Sequence, residues 1–250
     1  MSTETWLRRY GSAPQAPHRL ICLPHAGGSA TFYHPVALAL APSVDVLAVQ
    51  YPGRQDRRNE PFTATIQELA EQIVPAVRQV ADRPLTFFGH SMGSTVAFEI
   101  VRQLQAEGIA VSGMFVSGRF APSVDRGERV HEMSDAGVLA ELRRLDGTDA
   151  RMFDTPDIVE MIMPALRNDY RAIETYKYLP GPPLTCAVYA LLGDADPKVN
   201  AAEMRAWAGH TTGPFTFTTF AGGHFYLTHH MPAILAAITA HIEEEQRTSA

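Results

Sequence analysis

Residues 85–99 read LTFFGHSMGSTVAFE, and this stretch decides how the rest of the chain is interpreted. A short apolar run leads to Ser91, which lies between Gly89 and Gly93 and is followed by apolar residues at helical spacing. We interpret it as a strand, a sharp turn and a helix. A serine at the tip of such a turn needs a strained, positive-φ backbone, and the strand and helix beside it pass too close for side chains. Glycine at the two flanking positions removes that clash.

This G-x-S-x-G pattern is the signature of a nucleophile elbow, which lifts a serine hydroxyl above the sheet and aims the next backbone N–H at the same point. Five residues alone also match by chance, so the context matters. Pro84 interrupts the chain before the apolar run, and apolar residues recur with helical periodicity after the turn. We therefore predict that Ser91 is a catalytic nucleophile.

Length and composition indicate a single globular domain over residues 1–250, because a chain of this size buries a full core. A net charge of −6 argues against a nucleic-acid partner, since phosphate binding requires a basic surface. The N-terminal residues lack the apolar core of a signal peptide, and no apolar run is long enough to span a bilayer. We expect a cytoplasmic protein with no membrane association.

Cys22 and Cys186 both lie in apolar, strand-like runs and are expected to be buried, unpaired thiols. No Cys/His cluster has the spacing of zinc ligands. We expect neither a metal nor a cofactor.

Apolar runs alternate with helical segments, which favours an α/β fold with a mostly parallel central sheet and flanking helices. Strands are predicted at the start of the elbow and at residues 19–23, 45–49, 114–118, 184–192 and 215–220. The alternation stops between about residues 134 and 180, where two helical stretches follow each other. We predict that this helical insertion forms a lid over the active site.

A second glycine-rich stretch, PHAGGS at residues 24–29, directly follows the first predicted strand. A nucleotide-binding loop would need G-x-G-x-x-G, or a glycine-rich loop that ends in Lys-Ser/Thr, and neither is present. In α/β-hydrolases the oxyanion hole takes one N–H from the residue after the nucleophile and one from a loop of this kind. We assign the backbone N–H groups of Ala26 and Met92 to that role.

A serine nucleophile needs an imidazole to take its proton, and ten histidines are available. His224 is favoured because it lies in a glycine-rich loop, AGGHF, directly after the last predicted strand. His229 and His230 lie closer to the final helix. The His90 side chain is expected to point away from the serine.

The acid that orients the imidazole is predicted in the loop GDADP at residues 193–197, because the chain order Ser, Asp, His is that of the α/β-hydrolases. Asp194 is nearer the strand end and is suited to capping backbone N–H groups of the turn. Asp196 precedes a proline. Local spacing does not separate the two.

Taken together, PHAGGSA, QYPGR, GHSMGS, GDADP and AGGHFYL resemble the type II thioesterases that accompany polyketide synthases and non-ribosomal peptide synthetases. The match extends over nearly the whole chain. The resemblance implies an α/β-hydrolase fold in which Ser91 is the nucleophile, Asp196 the acid and His224 the base. It also implies that Ala26 and Met92 supply the oxyanion hole.

The resemblance further implies a substrate and a partner. Such enzymes hydrolyse acyl thioesters on the phosphopantetheine arm of an acyl carrier protein or peptidyl carrier domain, which clears stalled or aberrant acyl groups. We expect the protein to act as a monomer. Carrier domains are acidic, so docking to a chain of negative net charge requires a local basic patch. Arg54, Arg57, Arg58 and Arg119 are the predicted members of that patch.

Two other functions fit the same motifs. A small-molecule carboxylesterase or an acyltransferase would use the same triad, because the triad selects neither the leaving group nor the acceptor. A non-catalytic carrier-binding protein would keep the fold with a broken triad, whereas the predicted triad is complete.

Overall fold

A computed structural model describes residues 3–11, 13–145 and 155–248 of the chain. The described strands are β1 (Leu7–Arg9), β2 (Arg19–Leu23), β3 (Asp45–Val49), β4 (Leu85–His90), β5 (Gly113–Ser117), β6 (Ala187–Gly193) and β7 (Phe215–Phe220). They form one sheet in the order β1-β3-β2-β4-β5-β6-β7. Strand β1 is antiparallel to β3, and every other neighbouring pair is parallel. The predicted α/β fold with a mostly parallel sheet is confirmed.

The described helices are α1 (Thr3–Trp6), α2 (His34–Leu40), α3 (Ile66–Arg78), α4 (Met92–Ala106), α5 (Asp135–Leu145), α6 (Pro156–Glu174), α7 (Ala201–Arg205) and α8 (Leu227–Thr248). Helices are needed between parallel strands because each connection must return to the same end of the sheet. None of the helices in the described ranges combines the length and the apolar character that crossing a membrane requires.

The sheet is buried on both faces, and alternate residues of β2 show how the two faces are covered. Ile21 and Leu23 belong to a buried cluster with residues of α3 and α4. Leu20 and Cys22 belong to a separate cluster with residues of α2 and α8. Because neighbouring side chains of a strand point to opposite faces, one strand contributes to two helical layers.

The N-terminal segment differs from the expectation, since no element before residue 19 is predicted from the sequence. Residues 7–9 instead pair with β3 at the sheet edge. Trp6, just before them, is fully buried and its carbonyl oxygen accepts a hydrogen bond from Gln50 N at 2.8 Å. A three-residue strand is too short to show a period of two, so the sequence pattern does not reveal it.

The turn between β4 and α4 has the predicted strained geometry. Ser91 adopts φ 52° and ψ −122°, values that favour glycine over other residues. A Cβ added to Gly89 would lie 2.5 Å from the Gly93 carbonyl carbon, and one added to Gly93 would lie 2.7 Å from Pro24 O. Both glycines are therefore required where β4, α4 and the loop after β2 pass one another.

Helices α5 and α6 follow each other between β5 and β6. The predicted helical insertion at about 134–180 lies partly outside the described residues, which omit 146–154. The two helices share a buried cluster that contains Val138 of α5 together with Leu166 and Tyr170 of α6, and Ala26 packs against it. The helical segment thus contacts the glycine-rich loop that follows β2.

Gly93→Ala is expected to lower the free energy of unfolding by about 3 kcal/mol or more, because the new Cβ would press on backbone carbonyls that are fixed by the sheet. Urea unfolding followed by circular dichroism measures this. Gly209→Ala is the matched control, since an added Cβ there has no atom within 4 Å. Its effect is expected to stay within about 0.5 kcal/mol. Equal stability of the two variants would contradict the packing argument.

Candidate active site

The three predicted catalytic residues lie just beyond the carboxyl ends of three strands: Ser91 after β4, Asp196 after β6 and His224 after β7. Those ends share one edge of the sheet, which is where ligands bind in open parallel sheets. His224 Nδ1 lies 2.8 Å from Asp196 Oδ2, and the two side chains are only 3% and 0% exposed. The structure therefore pairs the favoured imidazole with a buried carboxylate.

The structure separates the two aspartates that the sequence leaves equivalent. Asp196 contacts the His224 ring through Oδ2, while its Oδ1 accepts a hydrogen bond from Lys198 N at 2.7 Å. Asp194 is exposed, and its Oδ1 accepts a hydrogen bond from Gly222 N at 2.9 Å. Asp194 thus fixes the loop that carries the histidine, whereas Asp196 fixes the ring itself.

Ser91 and His224 line one cavity of about 180 Å³, together with Ala26 and Met92. Within the described part of the chain, the serine hydroxyl makes no hydrogen bond to the imidazole, whose Nδ1 faces Asp196. Such bonds are often long in ligand-free enzymes and shorten when substrate binds. The other walls are mostly apolar and are formed by Leu142, Leu145, Ile162, Leu166, Tyr170, Ile173 and Phe225.

The glycine-rich loop after β2 is shaped by its own backbone and by helix α6. Gly28 N donates to His25 O at 2.9 Å, which closes a tight turn, and Gly27 has a φ of 75°. Gly27 N donates to Asp169 Oδ2 on α6 at 2.8 Å. The N–H of Gly27 is thereby engaged, and the loop that carries Ala26 is held against the helical segment.

Asp169 also forms a buried ion pair that sequence reasoning missed. Arg54 Nη1 lies 2.5 Å from Asp169 Oδ2, and Arg54 Nη2 lies 2.8 Å from Oδ1. Arg54 Nη1 additionally donates to Gly28 O at 3.2 Å. The pair joins the loop after β3 to α6 and to the glycine-rich loop. No sequence signal links the two residues, because they lie 115 positions apart.

The predicted basic patch is wrong for three of its four arginines. Arg54 is buried in the ion pair just described. Arg57 is 3% exposed and its Nη2 lies 2.6 Å from Glu60 Oε2. Arg119 is 8% exposed, which leaves Arg58 as the exposed member of the four. The sequence shows that charged residues are clustered along the chain, but it does not show which guanidinium groups are buried in the folded protein.

The His90 side chain lies against the imidazole that the sequence favours as the base. Its ring centroid lies 5.0 Å from that of His224, and its Nδ1 lies 2.9 Å from Ser117 Oγ. His90 is the last residue of β4 and shares a face with Phe88. That face is covered by α8, which directly follows the His224 loop, so the two rings meet.

Two further histidine rings, half-buried His25 and buried His90, lie near His224, and both are neutral at pH 7. Burial lowers the pKa of His25 to about 3. Burial also holds the pKa of His90 well below its ordinary value of 6.5. Neither ring places a positive charge next to His224 near neutral pH.

Cys22 and Cys186 are buried free thiols, as predicted. Burial raises the pKa of Cys186 to about 12, so this thiol stays protonated. In the described ranges, no group of three His, Cys, Asp or Glu side chains is placed to hold a metal ion.

Comparison with known proteins finds relatives along most of the chain. The thioesterase domain family model matches residues 18–242. The chain is 47% identical over 239 residues to Thioesterase PikA5 of Streptomyces venezuelae, covering 95% of this chain and 85% of that protein. It is 45% identical over 245 residues to the probable cadicidin biosynthesis thioesterase of Streptomyces griseus, covering 98% and 68%. The solved structure of the type II thioesterase BorB from the borrelidin biosynthetic cluster is 56% identical, with a TM-score of 0.89 over 95% of this chain and 97% of that one.

Asp169→Asn is expected to lower the free energy of unfolding by about 3–5 kcal/mol, because it leaves the buried Arg54 without a counter-charge. Urea denaturation at pH 7 measures the change. Glu160→Gln removes a carboxylate from an exposed position of the same helix and is expected to have an effect within about 0.5 kcal/mol. If both variants unfold at the same urea concentration, the ion pair does not hold α6 in place.

Proposed function

The chain belongs to the thioesterase family, and we propose that it hydrolyses acyl thioesters on the phosphopantetheine arm of acyl or peptidyl carrier proteins. In this role it removes stalled or aberrant acyl groups during polyketide or non-ribosomal peptide biosynthesis. The observation that carries the proposal is the buried Asp196–His224 pair, which shares an apolar cavity with Ser91. The high identity to a type II thioesterase supports it.

In the first half-reaction, the Ser91 hydroxyl attacks the thioester carbonyl carbon while His224 Nε2 takes its proton. The N–H groups of Ala26 and Met92 stabilise the negative oxygen of the tetrahedral intermediate. The carbon–sulfur bond then breaks, and His224 returns the proton to the pantetheine sulfur. Asp196 keeps the Nδ1–H tautomer in place and stabilises the transient imidazolium.

In the second half-reaction, a water molecule attacks the acyl-serine ester while His224 removes one of its protons. The same N–H groups stabilise the second tetrahedral intermediate. Collapse releases the free acid, and the proton on His224 returns to the Ser91 oxygen. One copy of the chain supplies every group in this scheme, so the mechanism requires no second subunit.

The shape and lining of the cavity support an acyl substrate. Its side walls are mostly aliphatic and aromatic, and polar groups are concentrated around Ser91 and His224 and at Arg119, Glu128 and Lys198. Pockets with apolar walls and a few placed polar groups are typical of sites for small organic ligands. This lining supports an acyl chain bound between the helical segment and the sheet edge.

Asp196→Asn is expected to lower kcat by about 10⁴, because the amide favours the wrong imidazole tautomer and does not stabilise the imidazolium. Asp194→Asn is the matched control in the same loop and is expected to retain kcat within about ten-fold, since an amide oxygen still accepts from Gly222 N. Steady-state hydrolysis of one acyl thioester measures both. Similar losses in the two variants would contradict the assignment of Asp196 as the acid.

The proposed function is tested with three substrates: an acyl carrier protein, an acyl-coenzyme A and a nitrophenyl ester that bear the same acyl group. We expect the highest kcat/KM for the carrier thioester, and a loss of about 10⁴ or more in Ser91→Ala. Faster turnover of the nitrophenyl ester would favour a carboxylesterase, and transfer to an added acceptor would favour an acyltransferase. Carrier binding without turnover would favour a non-catalytic binding protein.

A further inference from the structure

Arg119 is buried beside the active-site cavity and is short of hydrogen-bond acceptors among the described residues. It is 8% exposed and lines the same cavity as Ser91 and His224. Within residues 3–11, 13–145 and 155–248, its Nε has no hydrogen-bond partner. Its Nη1 lies 3.8 Å from Glu128 Oε2, which is beyond hydrogen-bond distance. A guanidinium has five N–H donors, and buried donors without acceptors are unfavourable.

Glu128 is already engaged by another cation. Lys198 Nζ lies 2.7 Å from Glu128 Oε1 and 3.1 Å from Glu141 Oε1. The shorter contact therefore pairs Glu128 with Lys198 rather than with Arg119. Burial lowers the pKa of Arg119 to about 10, so the guanidinium remains protonated at pH 7.

The Arg119 side chain is nevertheless held in place. Its Cζ lies 3.7 Å from the centroid of the Phe120 ring, which covers one face of the guanidinium. Its backbone oxygen accepts a hydrogen bond from Trp207 Nε1 at 2.8 Å. These contacts fix the backbone and one face of the guanidinium without using its N–H donors.

The residues just before Arg119 contact the reacting groups. Ser91 N donates to Ser117 O at 2.8 Å. A Cβ added to Gly118 would lie 3.3 Å from His224 Cε1. Arg119 therefore directly follows Gly118, which lies against the proposed base His224. Arg119 and Ser91 also line one cavity of about 180 Å³, so an acyl chain bound at Ser91 shares that cavity with Arg119.

The surrounding walls indicate which part of the substrate Arg119 meets. Leu142, Ile162 and Ile173 line the same cavity and suit a hydrocarbon chain. The pantetheine arm carries amides and a phosphate, which an apolar wall does not accommodate. The aliphatic side walls therefore favour an acceptor on the acyl chain.

We propose that Arg119 determines acyl specificity by donating a hydrogen bond to an oxygen atom of the acyl chain close to the thioester. The acceptor is a hydroxyl, a carbonyl or a carboxylate oxygen. The inference rests on the proposed function, since it requires an acyl thioester at Ser91. It implies that oxygenated acyl groups are hydrolysed faster than saturated groups of the same length.

The test compares butanoyl and 3-hydroxybutanoyl thioesters of N-acetylcysteamine. The ratio of kcat/KM values, hydroxylated over saturated, is expected to fall about ten-fold or more in Arg119→Gln, because a hydrogen bond from a charged donor is lost. Arg119→Lys keeps the charge and is expected to lose less. Arg102→Gln is the matched control, since Arg102 stacks on Phe98 away from the cavity and is expected to keep the wild-type ratio.

An unchanged ratio in both Arg119 variants would overturn the inference. The inference would also be overturned if Arg119→Gln lowered kcat/KM equally for the two acyl groups and lowered it further for pantetheine thioesters than for N-acetylcysteamine thioesters. Arg119 would then bind the pantetheine arm rather than the acyl chain. If the glutamine variant fails to fold, an unchanged ratio in Arg119→Lys overturns the inference, because an ammonium group does not reproduce the Nε donor of the planar guanidinium. If the wild type hydrolyses neither thioester nor a carrier-bound one, the proposed function fails, and the inference fails with it.

Discussion

The site depends on one constraint, which is the close packing of backbone segments at the turn between β4 and α4. Gly93 O and the first turn of α4 lie against Gly89, while Pro24 O lies against Gly93, so no side chain fits between these segments. This contact brings the loop after β2 next to the N-terminus of α4, and the two proposed oxyanion donors belong to these segments. Ser91 N also donates to Ser117 O, which ties the turn to β5. The positions of Ser91 and of both proposed donor groups thus follow from backbone packing.

Helix α6 contributes to the site in two ways. Ile162 and Leu166 form part of the cavity wall, while Asp169 accepts the Gly27 N–H and binds Arg54. Because these residues belong to one rigid element, a displacement of α6 would open the cavity and also remove the acceptor that holds the glycine-rich loop. The helical segment therefore supports the geometry of the loop as well as covering the cavity.

Local signals in the sequence predicted much of this structure. Strands 19–23, 45–49 and 215–220 have the predicted limits, and the strained serine turn follows from the spacing of its glycines. Features that depend on distant partners were not predictable. The inward direction of Arg54 is set by Asp169, and that of His90 by the face of β4 that α8 covers. Asp194 and Asp196 share one loop, so only their different partners distinguish them.

His25 and His90 lie near His224 without adding positive charge to the site. His224 lies against Asp196, while His25 and His90 remain neutral because burial lowers their pKa values. An imidazolium that forms on His224 in the proposed reaction therefore faces the Asp196 carboxylate and two neutral rings, in surroundings where the attraction is little screened. The unfolded chain binds a proton at His25 and at His90 near the ordinary pKa of 6.5, whereas burial lowers both pKa values in the folded protein, that of His25 to about 3. Folding is therefore disfavoured as the pH falls through this range, by about 1.4 kcal/mol per pH unit for each such residue. The neutral state of His25 and His90 thus carries a stability penalty in acid, and that penalty is absent above the ordinary histidine pKa.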